Sequence, residues 1–201
     1  VWKTQFSVMC VGKRLVVAPT WQKYEAKSSD LVIVLDPGMA FGTGHHPTTR
    51  MCMEVLEDKI TQGMDVLDVG SGSGILSITA AKLGARSVLA LDSDPVAVGV
   101  SQANFCTNHV ADVATVIEGT LPHNQILPCS YDVVVANVSS KFILDLSVDL
   151  ISLVRAGGTL IASGTMQDNA DVVRQCLQQN SNNVHKVVKD GDWVTQVVEI
   201  P

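Results

Sequence analysis

Four short passages carry the residues of this chain that could do chemistry. The first is VLDVGSGSG, Val66 to Gly74, in which an apolar run ends in three alternating glycines. Glycines at 70, 72 and 74 let the backbone turn tightly and come close to a ligand. A helix that starts just after them offers unpaired N–H groups to a negative group. Two details separate the passage from the dinucleotide fingerprint G-x-G-x-x-G/A. Position 75 is Ile75 where that fingerprint wants Gly or Ala, and Asp68 stands two residues before the first glycine. A carboxylate there repels a pyrophosphate but can orient the loop or face a cationic ligand. The second passage, LALDSD, places Asp92 about 20 residues beyond the glycine loop, the spacing of a carboxylate that accepts both hydroxyls of a ribose. The third, VVVANVSS, ends an apolar run in Asn137. Its side-chain amide can offer a carbonyl to a substrate amine and an NH₂ to a cofactor. The bland alternatives are a helix cap for Asp92 or Asp94 and a turn-closing Asx for Asn137. The cap is assigned to Asp94 and the ribose role to Asp92.

The fourth passage, FGTGHHPTTR over 41–50, packs two glycines, two adjacent histidines and a proline ahead of Thr48 and Thr49. Adjacent histidines seldom reach one ion, and no H-x-x-x-H or carboxylate pair accompanies His45 and His46, so no metal site is expected. Pro47 suits a first helical turn. The N–H groups and hydroxyl at Thr48 and Thr49 then become candidates for meeting a carboxylate.

The elements that must position these residues alternate. Apolar residues recur at helical spacing after Pro47, through Cys52, Val55, Leu56 and Ile60. Strands are expected over Asp65–Val69, Ser87–Leu91, Ala114–Ile117, Tyr131–Ala136 and Gly158–Ala162. Helices are expected over Ile75–Leu83, from Asp94-Pro95 to Asn108, over Lys141–Val154, and over Asp168–Gln179 with Val172, Val173, Cys176 and Leu177 inward. Runs at 184–188 and 194–200 flank Asp190-Gly191-Asp192 as a closing hairpin. Residues 1–45 differ, with short β-like runs at Arg14–Ala18 and Leu31–Leu35 around a polar stretch. Strands alternating with helices mean a parallel sheet covered on both faces, whose ligand sits at the carboxyl ends of the strands. The three apolar runs that end in Gly70, Asp92 and Asn137 therefore converge on one pocket. It suits an adenosine that bears a cation rather than a pyrophosphate, which describes S-adenosylmethionine.

The bulk composition agrees with one well-cored enzyme domain. The chain has 201 residues, 46% hydrophobic and 17% charged, too apolar for disorder. No apolar run reaches the roughly 18–20 residues needed to span a bilayer, and no secretory leader pattern opens the sequence. A net charge of −6 disfavours direct binding to nucleic-acid backbone and suits a basic partner. Five widely spaced cysteines with no C-x-x-C read as reduced thiols in a cytoplasmic compartment.

The set as a whole resembles the class I methyltransferases. LDPGMAFGTGHHPTT, VLDVGSGSGILSI, LALDSDP, VVVANV and the late Trp193 are more closely similar to the PrmA family, which methylates large-subunit ribosomal protein eleven. The glycine motif is common to all class I methyltransferases, whereas the segment from Asp36 to Thr49 is far more specific. The resemblance implies a Rossmann-like, doubly wound, mostly parallel α/β sheet of seven strands with an antiparallel C-terminal hairpin. Residues 1–45 become a β-rich linker packing on the core, and 46–201 the catalytic domain. Full-length members of the family carry a domain that recognises the ribosomal protein ahead of the catalytic one. Thr49, Gly70, Asp92 and Asn137 fall on the family's cofactor-binding positions, alongside Asp68 and Gly72 of the glycine loop. Lysine ε-amines and an N-terminal α-amine are the implied acceptors, with Asn137 as the candidate catalytic residue that holds a neutral amine in line. The implied enzyme is cytoplasmic and monomeric. The chain departs from the family pattern at His45, where Thr is usual, and at Val138-Ser139-Ser140, next to the acceptor. Competing readings are a same-fold methyltransferase of a small molecule or another protein, a nicotinamide-dependent oxidoreductase, and a non-catalytic domain that keeps the fold.

Overall fold

The computed structural model describes residues 7–36, 42–181 and 185–201. A small sheet comes first: β1 (Met9–Val11), β2 (Leu15–Ala18) and β3 (Leu31–Val34), in that order. β1 and β2 are antiparallel, and β2 and β3 parallel. Its apolar side chains Val11, Leu15, Val17 and Ile33 join one core with Cys52, Val55, Leu56 and Ile75. Polar clips reinforce that contact. Glu57 accepts the N–H groups of Lys13 at 2.6 Å and Arg14 at 2.9 Å. Asn108 pairs with both polar groups of the Val34 backbone, at 2.8 and 2.7 Å, as a neighbouring strand would. Β1 is too short for its alternation to show in the sequence, and Arg14 lies in the turn rather than the strand. Part of the LDPGMAFGTG passage, residues 37–41, lies outside the described residues.

The main body begins with α1 (Pro47–Lys59) and then alternates β4 (Asp65–Val69), α2 (Ile75–Lys82), β5 (Ser87–Asp92), α3 (Pro95–Thr107) and β6 (Ala114–Glu118). There follow β7 (Tyr131–Asn137), α4 (Ser140–Asp145), α5 (Ser147–Leu153), β8 (Val154–Met166), α6 (Gln167–Ser181), β9 (His185–Asp190) and β10 (Trp193–Glu199). The seven strands stand in the order β6-β5-β4-β7-β8-β10-β9. β4 through β8 pair in parallel, while β10 pairs antiparallel with both β8 and β9. The chain moves outward one way from β4 and the other way from β7, so the switch point lies between them. β4, β7 and the middle of β8 are near-continuous buried runs because helices cover both faces. No helix among the described residues is long and apolar enough to cross a membrane.

The structure corrects three local expectations. The segment 141–154 is two helices, not one. It breaks at Leu146, φ −116° and ψ 18°. Beside the break, the buried Ser147 hydroxyl donates back to Leu144 O at 3.3 Å and receives Asn180 from α6 at 3.1 Å. A serine bound to its own backbone competes with helix continuation. Val154 then opens β8 instead of closing a helix. The strand expected to begin at Gly158 therefore begins four residues earlier, and the register of β8 on β7 shifts on the way. A Cβ at Gly158 would lie 2.7 Å from Asp132 O, so glycine lets β8 press against β7 where the register shifts. Finally, Ala170, Val173 and Leu177 form the buried stripe of α6, and Val172 faces solvent at 55% exposure. One residue around a helix is about 100°, enough to leave an apolar face.

Candidate active site

The register of the parallel strands fixes the site. Val69 pairs with both Leu91 and Ala136, so Gly70, Asp92 and Asn137 all follow at the same level on adjacent strands. Gly70 takes φ +74°, Gly72 +55° and Gly74 +79°. These left-handed turns fold the loop back until Gly70 N donates to Leu91 O at 2.8 Å and Gly72 N to the Asp92 carboxylate at 2.8 Å. The other Asp92 oxygen accepts from Asp94 N at 3.0 Å. Asp94 caps α3, accepting from Val96 N at 2.8 Å. Each Asp92 oxygen so keeps a lone pair for a ligand.

A cavity of about 330 Å³ opens over these strand ends, within the ~300–1,000 Å³ usual for small-molecule sites. Thr49, Gly70, Gly72, Asp92 and Asn137 all line it. Asn137 Nδ2 lies 3.4 Å from the Thr49 hydroxyl, joining α1 to β7 across one wall. The start of α1 offers less than its sequence suggests. Thr48 N already donates to His46 Nδ1 at 3.4 Å and Thr49 N to His46 O at 3.1 Å. The hydroxyl of Thr49, not its N–H, is what this helix presents. Sequence reasoning missed Ser93, Gly119, Thr120 and Phe142 in the lining. Gly119 follows directly on β6, so the rule that singled out the other strand ends could have found it. Among the described lining residues Asp92 is the one charged side chain, and there is no Lys or Arg. That balance suits a cation better than a pyrophosphate.

Asp68 stands beneath this lining, fully buried. Ser77 donates to one of its oxygens twice, from N at 3.1 Å and from its hydroxyl at 2.7 Å, which pins α2 to β4. Its other oxygen has no protein partner. These contacts fix α2 against β4, and Asp68 is not among the residues that line the cavity. Burial pushes its carboxyl up to about 6, against the lowering by the Ser77 hydrogen bonds, with the Asp92 charge adding to the rise. Since the folded value exceeds the unfolded one, the folded protein holds a proton between about 4 and about 6 that the unfolded chain has lost. Stability therefore falls as pH rises through that window. Asp68→Asn mimics the protonated form. In urea unfolding without cofactor it should match the wild type near pH 4 and exceed it at pH 7.5 by roughly 3 kcal/mol at most. Equal stabilities at both pH values would remove the burial argument.

A second cavity, about 360 Å³, adjoins the first and shares Asn137, Val138 and Ser139 with it. The ring of Trp193 meets that of His46 edge-on at 4.7 Å along its wall. Burial and the Arg50 charge hold His46 below the usual imidazole value. Arg50 ties this corner together, donating to His45 O at 2.7 Å and to Asp190 of the hairpin at 2.6 Å. Both histidines thus serve the α1 entry, and no cluster of three potential metal ligands occurs among the described residues.

Residues 1–200 match the family model described as ribosomal protein L11 methyltransferase (PrmA). The chain is 40% identical, over its whole length, to a ribosomal protein L11 methyltransferase from Chloroflexus aurantiacus, of which it covers 68%. It is 44% identical over 96% of its length to one from Desulforamulus reducens, covering 62% of that protein. Among solved structures, a ribosomal protein L11 methylase from Lactobacillus delbrueckii subsp. bulgaricus superposes with TM-score 0.88 at 31% identity, covering 96% of this chain and 98% of that one. A precorrin methyltransferase from Geobacter metallireducens shares the fold at TM-score 0.63 and 18% identity, over 76% of this chain and 88% of that one. The chain spans about three fifths to two thirds of the length of the L11 methyltransferases it matches. With a cavity framed by Gly70, Asp92 and Asn137 on a doubly wound sheet, and with the family's sequence pattern running from end to end, this chain belongs to the ribosomal protein L11 methyltransferase (PrmA) family.

Proposed function

We propose that residues 46–201 form the catalytic unit, and residues 1–45 the linker segment, of an S-adenosylmethionine-dependent protein N-methyltransferase. Its acceptor is ribosomal protein L11, through lysine ε-amines or the α-amine. The observation that carries the reading is the alignment of Gly70, Asp92 and Asn137 on adjacent strands around one cavity. The residues present fit the cofactor. Gly70 leaves open backbone where a Cβ would lie 2.5 Å from Val138 Cγ1. Asp92 has lone pairs for the ribose hydroxyls, and no basic side chain among the described lining residues would repel a sulfonium. When bound, the cofactor supplies a methyl group on an activated sulfonium.

The protein's own contribution is positioning. The Gly70–Gly72 backbone and Asp92 hold the adenosine end, and the Thr49 hydroxyl and Asn137 border the other. Asn137 orients the acceptor amine. A lysine must first shed its proton, which costs about 4–5 kcal/mol near neutrality from a pKa of about 10.4. Desolvation in the second cavity and the nearby positive charge both lower that cost. No strong base is required. The enzyme acts as a cytoplasmic monomer on a basic protein and makes no direct contact with nucleic acid, in keeping with its net charge of −6.

Calorimetry with S-adenosylmethionine and NAD, followed by labelled methyl transfer to isolated L11, tests the reading. S-adenosylmethionine should bind, NAD should not, and label should appear on L11. Label on small amines alone would move the assignment to a small-molecule methyltransferase. Binding of NAD alone would sink it.

A further inference from the structure

Asn137, Val138 and Ser139 stand between the two cavities. Val138 faces both. Its N–H donates to Ser163 O of β8 at 3.1 Å. On the side of the second cavity, Gly164 takes φ +91°, and a Cβ there would overlap the Val138 carbonyl. On the side of the first, a Cβ at Gly70 would press on Val138 Cγ1. Two glycines, one just after β4 and one within β8, therefore give up their side chains to one valine. Its main chain rests on Gly164, and its side chain roofs Gly70. A left-handed glycine in close main-chain contact leaves the backbone little room to shift. The width of the passage then depends on the valine side chain.

The second cavity also states what it admits. Its described lining contains no carboxylate, Lys or Arg, and His46 is held toward its neutral form. An ammonium entering it would lose hydration and gain no counter-charge, so the neutral form of an alkyl amine is favoured. Trp193 and Val138 supply the apolar walls.

We propose that Val138 is the septum that sets the free space around an alkyl-amine nitrogen where the two cavities meet, and so how many methyl groups that nitrogen can carry and still be bound. The proposal rests on the reading of the second cavity as the acceptor's entrance. One methylene in a confined apolar site changes affinity by roughly 10–200-fold. Trimming or extending Val138 should therefore alter the preference among amines that differ only in methyl number.

The test uses the fluorescence of Trp193 in the cavity wall. Cofactor-free protein is titrated with n-butylamine, N-methylbutylamine and N,N-dimethylbutylamine, with affinities expressed per free base. Relative to n-butylamine, the dimethylated amine should bind about tenfold better in Val138→Ala than in wild type, and about tenfold worse in Val138→Leu. Quenching should vanish in Trp193→Phe. Equal ratios in all three proteins would overturn the proposal, as would quenching that persists without Trp193 or is absent from wild type. The titrations contain no cofactor, so they stand even where calorimetry finds no S-adenosylmethionine binding. That result would sink the functional reading alone.

Discussion

Asn137→Ala should lower turnover on L11 by roughly 100- to 1,000-fold, about 3–4 kcal/mol at 1.36 kcal/mol per tenfold. The expectation follows from what the site lacks. No strong base is among the described residues lining the second cavity, and the methyl group arrives already activated. Most of the available catalysis is then alignment, worth about 7–11 kcal/mol in favourable cases, with large losses for a displacement near 1 Å. Asn137 ends β7, lines both cavities, and reaches the Thr49 hydroxyl at 3.4 Å. Among the described lining residues it is the one polar strand-end side chain that borders both cavities. Asn137→Asp keeps the shape and adds a charge. It would bind an ammonium and hold the proton on it, so its turnover should recover only at higher pH. Initial rates at saturating cofactor, across pH 7–10, separate the two variants. Turnover of Asn137→Ala within threefold of wild type would leave Asn137 as the closing residue of a turn.

The legible parts of this molecule are those set by short-range pattern. The strand that ends at Gly70, the cap at Asp94 and the hairpin at Gly191 each rest on a few adjacent residues, and the structure has them. Distant partners decide the rest. Leu146 breaks a helix because Ser147 is engaged from α6. Position 158 needs a glycine because the Asp132 carbonyl lies across the sheet from it. In sequence, Gly164 is one more glycine and Val138 one more valine. Only the fold puts them in contact, 26 residues apart, between two cavities. Asp68 is visible as a carboxylate before a glycine loop, but its buried partner is Ser77, in the first turn of α2. Where a site residue acts through a strand end, its role can be read from the run before it. Where it acts through a neighbour in space, it cannot.

Asp92→Ala carries the second large effect, on affinity rather than rate. Each oxygen of Asp92 receives one protein donor, Gly72 N at 2.8 Å or Asp94 N at 3.0 Å. A carboxylate oxygen can accept a further bond, so two ribose hydroxyls can be added without displacing the loop. Hydrogen bonds to charged groups contribute about 1.5–3 kcal/mol each. Loss of both should weaken S-adenosylmethionine binding at least about 100-fold. Asp92→Asn retains one acceptor oxygen and should fall between, near tenfold. The same residue also clips the glycine loop, so affinity alone does not separate the roles. Unfolding without ligand does. Release of the Gly72 and Asp94 N–H groups should cost about 1–3 kcal/mol of stability in Asp92→Ala, and calorimetry with adenosine alone should show most of the lost affinity. Lower stability with unchanged adenosine binding would make Asp92 a loop clip and leave the ribose to another group. Loss of both places the carboxylate where the cavity, the strand register and the family pattern converge.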